Sequence, residues 1–466
     1  MQDLKSRKWI ERRVLSMKYL TRPALFILLG VLLISATFIL VRKGTEALAS
    51  HNTSSVRPPP ISPSAELFPI ACSLLPAAKK TGNSLYACTA DGTSLRYSIN
   101  SDFQQGMQSY LDSKQPPYAL FIAIEPSTGR IIAINSASND PAWNIEATYR
   151  IFPMASLFKM VTAAAALENA RINPSTEMAY RGKAISENPK NWDPHPKGAS
   201  HQISMTEAMG RSVNPVYGKV ASDLLGKGAL SATCSNFGFN RPLLSGIPVQ
   251  TSRADVPETV HGLRLMGSGL DHELKVSPLH AAAITAAFAN NGVMMYPRLV
   301  DSITKDGKES QTAPRELVRI VQPAVADDLT RMLLTTVTTG TSGKAFRTQD
   351  GRRLIKAMKI AAKTGTINGD NPAGQHTWFA AYAPADKPRI AVLALIINDG
   401  RWKIKASNVG EHALVTYFKP EIDQIPIQAV VLNKKTDIRK KSRAKNSHHQ
   451  VARKKNDRSS RQGKGG

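Results

Sequence analysis

Cysteine is scarce in this chain, with three residues, Cys72, Cys88 and Cys234, among 466. That excludes a disulfide-dense miniature fold. Acidic residues are also in short supply, 35 Asp and Glu against 61 Lys and Arg, leaving a formal charge of +26. No internal repeat recurs, and there is a single long uncharged apolar run. What is present in quantity is ordinary core-forming material. Apolar residues make up 42% of the chain, enough at this length for one large domain or two ordinary ones, and disorder throughout is excluded.

So large a positive excess suggests an anionic partner, with nucleic acid as first candidate. Its placement argues otherwise. Residues 1–23 hold 7 basic and 2 acidic residues, and residues 434–466 hold 13 and 2, so 16 of the 26 excess charges sit at the two ends. Between Ala24 and Val41 runs ALFILLGVLLISATFILV, 18 residues without a charge. At about 1.5 Å per residue in a helix it spans roughly 27 Å, close to the thickness of a bilayer core. The basic residues before it predict a single-pass anchor in the cytoplasmic (inner) membrane, with the N-terminus inside and the remainder extracytoplasmic or periplasmic. A cleaved signal peptide is the competing reading, because Ala47-Leu48-Ala49 resembles a small-residue cleavage site. The basic tail lacks aromatics for stacking on bases and lies across the membrane from nucleic acid. Anionic wall polymers or lipid head groups are the better expected partners.

The expected organisation is a cytoplasmic basic segment (1–23), the anchor (24–41), a Ser- and Pro-rich linker with a small Cys-containing segment (42–94), a folded domain (95–422) and a basic disordered tail (423–466). In an oxidising compartment Cys72 and Cys88 suit a staple for a piece too small to have its own core; two free thiols are the alternative. Cys234 reads as a small buried residue. In the domain, Tyr118–Glu125, a Pro126–Gly129 turn and Arg130–Asn135 predict strand, turn, strand. Met154–Asn169 and Pro278–Asn290 predict helices, the second opened by proline and closed by Asn291-Gly292. Ala357–Ala362, Trp378–Ala383 and Ile390–Asn398 predict strands, the last apolar nearly throughout and so central. Strands at both ends with helices between imply an α+β fold.

Three short motifs occur in order: Ser156-Leu-Phe-Lys159, Ser212-Val-Asn214 and Lys363-Thr364-Gly365-Thr366. Each is weak alone. Ser-x-x-Lys recurs at Ser302–Lys305 and Ser442–Lys445, Ser-x-Asn at Ser50–Asn52 and Ser98–Asn100, and Lys-Thr-Gly at Lys80–Gly82. Context separates them. Ser156 opens a predicted helix, where i and i+3 are neighbours, so Lys159 lies beside it. The apolar Phe158, Met160 and Val161 would desolvate the ammonium and lower its pKa, making it a base for a serine that is a poor nucleophile unaided. The Ser156 N–H at the helix start suits an oxyanion. Ser212–Asn214 falls in a loop between helices. Lys363–Thr366 continues a strand, with Gly365 leaving room for close backbone approach and the strand edge able to pair with an extended peptide.

The ordered set resembles the transpeptidase domain of penicillin-binding proteins, within the penicilloyl-serine transferase superfamily. IAIEPSTGRIIAIN, IFPMASLFKMVTAAAALE, MGSGLDHELKVSPLHAAAITAAFANNG, TTVTTGTSGKAF and AAKTGT followed by WFAAYAP carry the likeness, over about Leu95 to Lys419. The resemblance implies an antiparallel β-sheet flanked by helices. Ser156 would be the acylated nucleophile and Lys159 its proton acceptor. Ser212 would relay a proton between Lys159 and Lys363, and Lys363 would supply positive charge. Asn214 would bond the donor peptide backbone, while Thr364 and Thr366 would hold its carboxylate and Gly365 permit the approach. The Thr366 N–H would complete the oxyanion hole. The implied substrate is a peptidoglycan stem peptide ending in D-Ala-D-Ala, with β-lactams as covalent inhibitors and no cofactor or metal.

Two departures stand out: Ala362 where the family often has Gly, and only about 50 residues between anchor and domain, too few for a glycosyltransferase domain or a large N-terminal pedestal. A D,D-carboxypeptidase, a β-lactamase or a β-lactam sensor of the same fold is the alternative, and a non-catalytic wall scaffold a further one. No added general base for fast deacylation is apparent.

Overall fold

The computed structural model describes residues 63–194, 200–400 and 404–426. The expected anchor, the cytoplasmic segment, most of the linker and most of the basic tail lie outside them. Among the described residues no helix is long and apolar enough to cross a membrane.

The domain is built on a five-stranded antiparallel sheet. Its strands are β1 (Tyr118–Ile124), β2 (Ile131–Ser138), β3 (Ala361–Asp370), β4 (Ala373–Ala383) and β5 (Ile390–Asn398), in the order β3-β4-β5-β1-β2. The apolar β5 is indeed central and buried along its whole length. Its side chains alternate, Leu393, Leu395 and Ile397 entering one core and Val392, Ala394 and Ile396 the other. Two layers of helices therefore sandwich the sheet. On the first face lie α3 (Phe158–Glu168) and α7 (Pro278–Ala289), the latter capped by Ser277, whose Oγ accepts from the His280 N–H at 3.1 Å. On the second lie α2 (Ser101–Lys114) and α8 (Ala406–Tyr417). Helix α1 (Pro63–Leu74) and the short α4 (Met205–Arg211), α5 (Asn214–Lys219) and α6 (Val260–Ser268) complete the elements that matter below.

Two expectations are corrected. Strand β3 begins at Ala361, not Ala357: residues 349–357 (QDGRRLIKA) form a helix that buries Gly351, Arg353 and Leu354 on one face. The segment around the first two cysteines needs no staple. Strands 79–81, 84–88 and 94–97 share a five-stranded sheet with the hairpin 300–311, and Phe68, Cys72 and Leu95 enter the main core. All three cysteines are free; Cys72 is buried, its thiol pushed up to about 11 by burial, and Cys88 is exposed.

Candidate active site

The chain enters the site through Phe152-Pro153, a two-residue strand paired with Lys275-Val276. A single 3₁₀ turn, Ala155–Leu157, follows and runs straight into α3. Ala155 is left-handed at φ 53°, a conformation that costs a non-glycine residue roughly 1–3 kcal/mol and that puts the following Ser156 at the cleft. The Ala155–Ser156 backbone is clamped from two sides. Gly269, at φ 73° just past α6, comes so near that a Cβ there would lie 2.1 Å from the Ala155 carbonyl oxygen. Gly365 of the edge strand β3 leaves only 3.1 Å from its would-be Cβ to the Ala155 Cβ and 3.4 Å to the Ser156 nitrogen.

Lys159, one turn into the protein from Ser156, is completely buried. Its Nζ has three polar neighbours: Ser156 Oγ at 2.7 Å, Asn214 Oδ1 at 2.7 Å and the Ser268 carbonyl. The amide of Asn214 is oriented by its Nδ2, which donates to the Ser186 carbonyl at 3.2 Å. Two of the three neighbours are thus pure acceptors. A neutral amine satisfies them with its two N–H bonds and turns its lone pair on the Ser156 hydroxyl. Burial drives the Lys159 pKa well below its ordinary value, and the charge of Lys363 adds to the effect.

Lys363 is buried as well, and burial pulls it down to about 7. Its Nζ donates to Ser212 Oγ at 2.8 Å and to the Thr364 carbonyl at 2.7 Å. Neither lysine bonds a carboxylate among the described residues, so both are held by burial and neutral acceptors alone. Ser212 ends α4 in the left-handed conformation, φ 56°, which aims its hydroxyl across the cleft at Lys363. Thr364 bonds the Thr341 hydroxyl, a contact that sequence reasoning missed.

Ser156, Ser212, Asn214, Thr364, Gly365 and Thr366 all line one cleft of about 340 Å³, with Arg211, Lys405 and the exposed Ile185 at its rim. Every residue singled out for the site is therefore brought together. The decoys are not. Ser302 and Lys305 lie on a strand, where i and i+3 face opposite ways; Ser302 accepts from Arg96, and Lys305 pairs with Asp91. Lys80 sits in a hairpin against Asp102, and the Ser98 hydroxyl is spent on the Ile131 carbonyl. Ala362 turns away from the cleft into the second core, so its methyl leaves the site untouched. The Ser268 carbonyl and Gly269 also escaped notice; the only signal for them was the MGSG segment itself.

A family model described as the penicillin binding protein transpeptidase domain matches residues 119–413. The peptidoglycan D,D-transpeptidase PbpA of Mycolicibacterium smegmatis is 28% identical over 352 residues, covering 68% of this chain and 68% of that protein. Its namesake from Mycobacterium tuberculosis is 28% identical over 313 residues, covering 59% of this chain and 61% of its own length. In fold, the chain is similar to the penicillin G acyl-enzyme complex of penicillin-binding protein A from M. tuberculosis, with a TM-score of 0.55 at 24% identity, over 69% of this chain and 80% of that one.

Proposed function

Since the chain belongs to the family of penicillin-binding protein transpeptidase domains, we propose that it is a serine D,D-transpeptidase acting on peptidoglycan stem peptides that end in D-Ala-D-Ala, and that β-lactams acylate it. The observation that carries this reading is the buried Lys159 Nζ 2.7 Å from Ser156 Oγ, with burial driving its pKa well below the ordinary value. Lys159 takes the hydroxyl proton as Ser156 Oγ attacks the penultimate D-Ala carbonyl. The Ser156 and Thr366 N–H groups receive the oxyanion. Collapse expels the terminal D-Ala, whose nitrogen gains the proton taken up by Lys159 by way of Ser212, which Lys363 bonds at 2.8 Å. An incoming amine then repeats the sequence in reverse and leaves with the acyl group. Lys363, Thr364 and Thr366 take the substrate carboxylate, and Asn214, besides holding Lys159, offers its amide to the donor backbone.

The apolar run 24–41 with its basic flank supports a single inner-membrane anchor and an extracytoplasmic domain. The +11 tail supports contact with anionic wall or lipid surfaces. The catalytic reading is tested with fluorescent penicillin, which labels the wild-type chain covalently and leaves Ser156→Ala unlabelled. Label retained by the alanine variant, or absent from folded wild type, overturns it. A pentapeptide substrate with and without an amine acceptor then separates transfer from hydrolysis.

A further inference from the structure

Residues 238–252, which follow the helix 226–236, form with His280 of α7 a cavity of about 240 Å³ that shares no residue with the catalytic cleft. Arg241 lines it, half-buried. Its Nε is buried without a hydrogen-bond partner, and among the described residues no carboxylate pairs with it. Other partly buried arginines of the domain are provided for. Arg264 bonds Asp193 through two nitrogens, each at 2.8 Å, and Arg130 bonds Asp301 at 2.9 and 2.7 Å. Hydrogen bonds to those carboxylates raise their pKa values, whereas burial lowers that of Arg241 and nothing offsets it. Asp255, the acidic residue nearest in sequence, bonds Asn240 Nδ2 at 3.2 Å instead. A buried charge without a partner is costly, and an incoming anion would relieve it.

The rest of the lining narrows the anion. No Asp or Glu lines the cavity, and His280 brings no charge to it. The Nε2 of His280 donates to the Phe237 carbonyl and its Nδ1 accepts from the Ser252 hydroxyl, both at 2.8 Å, while burial pulls the ring down to about 4. Gln250 Oε1 accepts from the Ile151 N–H at 3.1 Å, which leaves its Nε2 as a second donor. Leu243, Leu244 and Ile247 supply apolar wall. One guanidinium with no second cation neutralises a single negative charge and forks onto two oxygens. That matches a carboxylate; a phosphate dianion would keep one charge unpaired. A free amino acid fits poorly, because its ammonium would meet no carboxylate. At about 30 Å³ per water-sized group, the cavity takes roughly eight such groups.

We propose that this cavity binds an aliphatic carboxylate, with its two oxygens on Arg241 and its hydrocarbon against Leu243, Leu244 and Ile247. A short free acid and an aliphatic residue at the C-terminus of a peptide share that chemistry.

The test is calorimetric titration of the full chain with 4-methylpentanoate, N-acetyl-L-leucine, neutral N-acetyl-L-leucinamide and inorganic phosphate. The catalytic cleft also receives carboxylates, so each titration is repeated on Arg241→Met and the difference is read. Wild type should bind the two carboxylates with Kd values of about 1 mM, in keeping with ligands of this size. Arg241→Met should weaken both at least about 10-fold, the factor that one charge-assisted hydrogen bond supplies. The amide and phosphate should show no binding that depends on Arg241. Whichever carboxylate binds more tightly names the source: N-acetyl-L-leucine a peptide C-terminus, 4-methylpentanoate a free acid. Without ligand, Arg241→Met should hold or raise Tm, since the charge it removes is unpaired. Carboxylate binding that survives Arg241→Met, binding of neither carboxylate, or Arg241-dependent binding of phosphate tighter than both overturns the proposal. So does a fall in Tm of several degrees in Arg241→Met, which would make Arg241 a structural residue.

Discussion

Lys159 Nζ and Asn214 Oδ1 lie 2.7 Å apart inside the protein, and this contact helps to hold the lysine beside Ser156. The Asn214 oxygen and the Ser268 carbonyl accept and never donate, so in the neutral form, which burial favours, they take the two N–H bonds and the lone pair is left for Ser156 Oγ at 2.7 Å. An ammonium here would face the same three oxygens with no carboxylate bonded to it among the described residues, and burial disfavours it.

Lys159→Met keeps length and apolar packing and removes the base. Penicillin labelling should slow by about 10²–10⁴-fold, the range of general-base assistance, with the far-UV circular dichroism unchanged. A rate within tenfold of wild type removes Lys159 from the proton transfer.

Lys363 gives a pH dependence with a definite sign. Its folded pKa, about 7, lies below the ordinary 10.5, so the unfolded chain binds the extra proton between those values. Stability is therefore gained as pH rises through that window and is absent below about 7. The Tm of wild type should climb between pH 7 and 9 relative to Lys363→Met. Conversely, the charge that attracts a carboxylate is lost above about 7 in the free enzyme, so second-order labelling by a carboxylate-bearing penicillin should decline on the alkaline side. Lys363→Arg, always charged, should show no decline up to pH 9. Parallel profiles for wild type and variant would exclude Lys363 as the titrating group.

The two glycines against the nucleophile differ in how much room they leave. Gly269→Ala meets the Ala155 carbonyl oxygen at 2.1 Å in a backbone that disfavours any side chain, and nothing nearby is flexible. It should lower Tm by several degrees and labelling by more than about 100-fold, because displacing a reacting atom by 1 Å is that costly. Gly365→Ala meets its nearest atoms at 3.1–3.4 Å. A shift of a few tenths of an ångström accommodates it, so labelling should fall about tenfold with Tm nearly unchanged. Equal effects would mean that the clamp around Ser156 is not rigid.

Much of this site was legible because helix geometry does the work: three residues of spacing put Lys159 beside Ser156, and the same spacing on a strand separates Ser302 from Lys305. The continuous apolar run of β5 announced its central place for the same kind of reason. One backbone contribution was not legible. The Ser268 carbonyl that orients Lys159 is a backbone atom, placed by the left-handed Gly269 at the end of α6, and any residue at 268 supplies one. Asn214, expected to bond the donor backbone, also turns its oxygen inward to Lys159, which only the fold around Ser186 decides. The false strand start at Ala357 arose because AMKIAA reads as extended while the amphipathic helix before it claims its first residue.

The C-terminal tail yields a prediction independent of catalysis. Deleting residues 434–466 removes a net +11 and should abolish salt-sensitive binding of the chain to anionic vesicles or wall fragments, with penicillin labelling intact. Binding unchanged by the deletion assigns the tail no such role.

Ser212 offers a cleaner dissection, because two properties of one residue can be separated. Its hydroxyl accepts from Lys363 at 2.8 Å, and its backbone is left-handed at φ 56°. Alanine removes the hydroxyl and keeps a Cβ in a conformation that L-residues disfavour; glycine removes the hydroxyl and is at ease there. If the hydroxyl relays the proton, Ser212→Ala and Ser212→Gly should both slow labelling, by about 10²-fold and to a similar extent. The glycine variant should hold or raise Tm relative to the alanine variant, by the ~1 kcal/mol that separates the two residues at positive φ. The informative outcome is a split: Ser212→Gly labelled at the wild-type rate would show that Ser212 serves only to end α4 and turn the chain, leaving Lys363 to act through the Thr364 carbonyl and the substrate alone.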